Sequence, residues 1–140
     1  MQILHFNACR DCFPGLRKQL LYEYMAAKKI DSLNWNILVL HIGTPQYFFE
    51  RQVPKLFRTL FMRKLYAWIV LLKIQHDYDI ILMRHMTFDP FVLLFGWFIK
   101  NRITIHHSKE IEELKQIKRN WKGKFASFLE RITGFANSRQ

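Results

Sequence analysis

The chain has 140 residues, half of them hydrophobic and 13 of them Phe, and its 22 Lys and Arg outweigh 11 Asp and Glu by a net +11. Such apolar content excludes wholesale disorder and suits one domain, residues 1–140, that buries about two-thirds of its unfolded surface. The charge favours anionic partners: nucleic acid, lipid headgroups or phosphorylated substrates.

Two cysteines build no disulfide framework, and no basic-then-apolar leader opens the chain. The longest apolar runs, residues 65–72 and 91–99, are far short of the roughly 20 needed to cross a bilayer. A reducing cytoplasm is the expected compartment.

Residues 2–7, with Ile3, Leu4 and Phe6, read as a short first strand. A turn-rich loop, Ala8-Cys9-Arg10-Asp11-Cys12-Phe13-Pro14-Gly15, leads into a helix over 16–29, where Leu16, Leu20, Leu21, Tyr24 and Met25 recur at helical spacing. Residues 35–42 form the second strand, with Ile37-Leu38-Val39-Leu40 as its buried centre and Gly43-Thr44-Pro45 stopping it. Pro54 opens a long helix to about residue 75, whose apolar positions include Leu56, Phe57, Leu60, Phe61, Leu65, Trp68, Ile69 and Leu72. No acid falls between Glu50 and Asp77.

Tyr78-Asp79-Ile80-Ile81-Leu82-Met83 is the third strand and stops at Arg84-His85. Residues 88–99 are apolar nearly all round and read as a buried helix, with Pro90 tolerated in its first turn. Arg102-Ile103-Thr104-Ile105 is the fourth strand, stopping at His106-His107. Ser108 is an N-cap for a charged helix over 109–118, and a last helix runs from about 124 to 132 and ends at Gly134.

Strands alternating with helices predict an α/β fold with right-handed crossovers. Continuous apolar runs mark strands covered on both faces, the habit of parallel sheets. The expected architecture is a Rossmann-like parallel sheet of about four strands in the order 3-2-1-4 or a close variant, with helices on both faces. Ligands of open α/β sheets collect beyond the carboxyl ends of the strands. That edge carries Asn7, Gly43, Arg84 and His107. The pattern stops at residues 135–140, where a fifth strand is due, and the chain reads as cut short.

Arg84 at a strand end can hold a phosphate or carboxylate through its forked guanidinium, or stand as a solvated ion. Adjacent histidines on a strand point to opposite faces, so of His106 and His107 only one faces the site, as acid, base or hydrogen-bond donor. Metal ligation by this pair with Glu110 is the weaker alternative. Cys9 and Cys12 sit where a redox pair would, but one CxxC with no second pair or His partner is weak for redox or zinc chemistry. The loop's better use is to receive a phosphate at a helix start, at Cys12 and Gly15, although no Walker or GxGxxG pattern is present.

The pattern resembles the N-terminal domain of GT-B glycosyltransferases of the family-four type. The likeness rests on Ile3-Leu4-His5-Phe6-Asn7 with its loop to Gly15, on residues 78–84 followed by an apolar helix, and on Ile103-Thr104-Ile105-His106-His107. It implies half of a bilobal enzyme that transfers a sugar from a nucleotide-sugar to a lipid-linked or polysaccharide acceptor, with no cofactor and no essential metal. His107 is then the catalytic residue, and Arg84, His85, His106, Cys12 and Gly15 bind substrate. The nucleotide-sugar domain would be supplied by a separate C-terminal domain or chain, without which the half is inactive. The first loop departs from the family's double-glycine form.

Arg51, Lys55, Arg58, Arg63 and Lys64 give the long helix and its approach a basic face suited to an anionic membrane, placing the protein peripherally on the inner face of the plasma membrane. The rival reading is a non-enzymatic basic module that binds anionic membrane or nucleic acid through residues 54–75 and the 115–124 cluster. Nucleic acid is the less favoured partner, since the aromatics read as core and no recognised module is present.

Overall fold

The structure, a computed structural model, describes residues 1–84, 86, 89–99 and 101–105. Among them β1 (Gln2–Ala8), β2 (Asn34–His41), β3 (Glu50–Gln52), β4 (Ile80–Arg84) and β5 (Arg102–Ile105) form one all-parallel sheet in the order β3-β2-β1-β4-β5. The connections carry α1 (Pro14–Ala27), α2 (Leu60–Ile74) and the short α3 (Val92–Phe95), with 3-10 turns at Lys55–Phe57, Gln75–Asp77 and Gly96–Phe98. The α/β class and the Rossmann-like parallel sheet are as expected.

The expected strand order needs correction. The strand expected third does not lie beside the second; it pairs with β1, Leu4 opposite Ile81 and Phe6 opposite Met83. The outer place beside β2 belongs to β3, a three-residue edge strand registered through Val39 and Glu50. Glu50-Arg51-Gln52 is too polar and too short to show as an apolar run. With that edge filled, the α2 connection carries the chain across the sheet to the free side of β1.

Side chains alternate between two cores. Ile37 and Val39 pack with Cys12, Leu20 and Phe49 on the α1 face. Leu38 and Leu40 join Leu4, Phe6, Ile81 and Met83 against Ala67, Trp68 and Leu71 of α2. Trp68 is fully buried; its Nε1–H donates to Asp89 Oδ2 at 2.6 Å, and the Arg102 guanidinium carbon lies 5.3 Å from its ring centroid.

Helix boundaries also move. Proline and glycine do not delay α1: Pro14 stands at its start, where its missing N–H costs nothing. Pro54 opens only the 3-10 turn, and α2 begins six residues later behind Thr59. The buried helix expected over 88–99 shrinks to one turn of α3 ending at Gly96, and Leu94, Trp97 and Phe98 are exposed. Gly96 lies under the Arg102 guanidinium, 3.2 Å from where a Cβ would stand, so a side chain there would press on the guanidinium and displace it by a few tenths of an ångström. The helices expected over 109–118 and 124–132 lie outside the described residues.

One buried carboxylate ties α1 to the far edge. The Glu50 side chain has no solvent exposure. It accepts from Arg17 Nε at 2.6 Å and Arg17 Nη2 at 3.2 Å, and from the Gln46 N–H at 2.9 Å; His41 Nε2 lies 3.1 Å away. Burial pushes its carboxyl up, but the hydrogen bonds from Arg17 and the Gln46 N–H, with the Arg17 and His41 charges, outweigh this and hold it below the usual range.

A folded value below the unfolded one makes its stabilisation full above about pH 4.3 and lost as pH falls through the folded value. Glu50→Gln leaves the half-buried Arg17 guanidinium without its carboxylate, so urea unfolding at neutral pH should show a loss of about 1–3 kcal/mol. The variant should also lose less stability than the parent on acidification below about pH 4.3. Equal urea midpoints at neutral pH would contradict this role.

Candidate functional site

β1 is the strand at which the connections reverse. The chain leaves it through α1 toward β2, and returns through α2 to β4 on its other side. Crossover helices run back against parallel strands, so α1 and α2 both begin at the carboxyl edge of the sheet, on opposite faces. Between their starts lies a cleft of about 520 Å³. Asn7 from β1, Cys9, Arg10 and Asp11 from the following loop, Phe13 and Leu16 at the start of α1, Leu60, Arg63 and Lys64 from α2, and Arg84 from β4 line it.

The lining is cationic. Arg10, Arg63, Lys64 and Arg84 line the cleft, and among the described lining residues the carboxylate is that of Asp11, which sits with Arg10 at 3.7 Å on the exposed rim. Arg63 is 8 % exposed, and its guanidinium makes no hydrogen bond or ion pair with any described residue. Burial pushes it below its ordinary value; the Cys9 and Asp11 charges oppose this and the Arg10 charge adds to it. Asn7 is 4 % exposed, and its Nδ2 finds no acceptor among the described residues. Both helices start here with no acid in the first turn and no side-chain cap. The positive ends of two helix dipoles, with uncapped N–H groups, therefore add to the charge of the side chains.

Arg84 and Asn7 stand at the carboxyl edge where the sequence places them. Cys12 does not reach the cleft: it is buried against Leu20, Ile37, Val39 and Phe49, and Cys9 lines the cleft instead. The loop breaks the strand's alternation, so spacing from β1 does not fix which cysteine turns inward. Gly15 is exposed, with open space around a would-be Cβ, and is not part of the lining. His85, His106 and His107 lie outside the described residues.

Of the basic residues assigned to a membrane face, Arg51 and Lys55 are exposed and Arg58 is half-buried. Arg63 and Lys64 are not on that surface. They belong with Ala67, Trp68 and Leu71 to the inward stripe of α2. The first turn of α2 stands over the strand ends, so its inward positions meet the cleft before the stripe reaches the apolar core.

The cysteines are free, and their environment opposes thiolate chemistry. Burial, with the nearby Cys12 next, pushes the Cys9 thiol up to about 12 against the lowering charges of Arg63 and Arg84. Burial and then Glu50 push Cys12 up as well. A redox or nucleophilic pair needs the opposite shift.

Among the described residues no group of three or more His, Cys, Asp and Glu is placed to hold a metal ion, and no helix is long and apolar enough to cross a membrane. What the cleft can do chemically is hold an oxyanion among fixed donors and cations. No protein-family model matches this chain, and neither the curated proteins nor the solved structures contain a significant match to it.

Proposed function

We propose that this chain is the acceptor-side α/β half of a GT-B-type glycosyltransferase, acting on a nucleotide-sugar donor and a lipid-linked or glycan acceptor. The observation that carries the reading is the cationic cleft at the point of β1 where the connections reverse, the place where open α/β sheets take ligands. In this reading a nucleotide-sugar domain faces the carboxyl edge and closes the cleft. Arg84 and its cationic neighbours meet the charge that develops on the leaving diphosphate, the preorganised electrostatic contribution that catalysis of this kind requires. His107 serves as hydrogen-bond donor or base toward the acceptor, and no metal is essential.

The approach to α2 supports a peripheral membrane location on the cytoplasmic side. Leu56, Leu60 and Phe61 are 77 %, 48 % and 53 % exposed, in one stretch with the exposed Lys55 and near Arg51 in sequence. Apolar side chains beside cations suit a headgroup layer, where each basic residue contributes about 1 kcal/mol. The rival reading, a basic module without catalysis, shares this surface and differs in activity.

The 140 residues alone are expected to transfer no sugar from UDP- or GDP-sugars, and a matching donor-binding domain added in trans should yield turnover that His107→Ala abolishes. Robust transfer by the chain alone would overturn the half-enzyme reading; restored turnover that ignores His107→Ala would overturn the role of that residue. In vesicle flotation the chain should rise with anionic vesicles and be released by salt, and Phe61→Asp should weaken capture. Equal capture by neutral vesicles would refute the electrostatic account of membrane binding.

A further inference from the structure

We infer that the cleft contains a built oxyanion subsite, in which Asn7 Nδ2 and the guanidinium groups of Arg63 and Arg84 hold a phosphate or diphosphate group, with Arg10 at the rim. Two independent observations meet there. Asn7 is buried, faces the cleft and keeps an unused amide donor. Arg63 is buried in the same wall and makes no hydrogen bond or ion pair with a described residue.

An unpaired buried donor costs roughly 1–3 kcal/mol, so natural structures normally satisfy it; the Arg63 guanidinium nitrogens are not fully hidden and open onto the same cleft, where an anion can reach them. One tetrahedral oxyanion satisfies both at once. The surrounding helix starts point the same way: neither α1 nor α2 places an acid in its first turn, where one would ordinarily offset the dipole.

Charge selects the class of anion. Among the described lining residues, setting Lys64 aside, Arg10, Arg63 and Arg84 exceed Asp11 by two charges, more than one carboxylate would neutralise, whereas a diphosphate matches them. The cleft volume of about 520 Å³ leaves room for an organic group attached to the anion, within the roughly 300–1,000 Å³ of small-molecule sites. The anion has two candidate sources, a nucleoside diphosphate or a lipid diphosphate, and both present the same oxygens. This subsite rests on the cleft of the proposed function and names the groups that would hold its diphosphate; the two fail separately, since anion binding and turnover are measured separately.

Calorimetric titration of the full chain with inorganic pyrophosphate tests it. Binding with a Kd of about 1 mM or tighter is expected, weakening with salt. Arg63→Ala and Asn7→Ser should each weaken it about tenfold while circular dichroism stays unchanged, and Lys29→Ala, an equal loss of charge at an exposed position outside the cleft, should leave it intact. Should Arg63→Ala fail to fold, the half-buried Arg84→Gln provides the same comparison. Tighter binding of UDP than of pyrophosphate would assign the anion to a nucleotide, and tighter binding of geranyl diphosphate would assign it to a lipid carrier; either supports the subsite. Absence of pyrophosphate binding by the folded chain would overturn it, as would equal weakening by Lys29→Ala and Arg63→Ala.

Discussion

The structure depends on β1 being paired on both sides and covered on both faces. Its two neighbours, β2 and β4, are reached by connections that run in opposite directions across the sheet. Right-handed crossover then requires α1 and α2 to lie on opposite faces. It also brings both helix starts to the carboxyl end of the same strand. A cleft there follows from topology alone, because the backbone leaves β1 toward one face while β4 receives its chain from the other. Leu4 and Phe6, buried against α2, and His5, bonded through Nδ1 to Glu23 Oε2 of α1 at 2.8 Å, show the strand serving both faces.

What the cleft holds is a matter of charge rather than topology. At the far edge a buried ion is satisfied within the chain, since Glu50 collects Arg17, His41 and the Gln46 N–H. The cleft differs from that cluster. Arg63 lies buried without a described counter-ion, and Asn7 lies buried without a described acceptor. The cost of keeping such groups is recovered when an anion binds, the ordinary arrangement of a site that trades stability for recognition. The cysteines beside it take no part, since burial pushes both thiols up.

The sheet was largely legible because strands buried on both faces leave unbroken runs such as Ile37-Leu38-Val39-Leu40 and Ile80-Ile81-Leu82-Met83. β3 was not, because three polar residues on an edge are held by backbone pairing and one buried carboxylate, neither of which leaves a hydropathy signal. The edge at which a ligand would sit was legible from the polar residues that close the runs, Asn7 and Arg84 among them. Arg63 was misread for a general reason. A cation on a helix is taken for solvent-facing, and only the placement of the first turn of α2 beyond the strand ends turns the inward stripe at Arg63 and Lys64 toward the cleft. Which of Cys9 and Cys12 faces inward was equally hidden, since a loop has no fixed period to count along.

The central claim is that the cleft at the end of β1 is an oxyanion site. Following the side-chain amide of Asn7 and the Nε–H of Arg63 by nuclear magnetic resonance, as inorganic pyrophosphate is added to the folded chain, tests it most directly. The account predicts saturating shifts at both groups with one common midpoint. Shifts confined to exposed cations such as Arg51, with Asn7 and Arg63 unmoved, would contradict it.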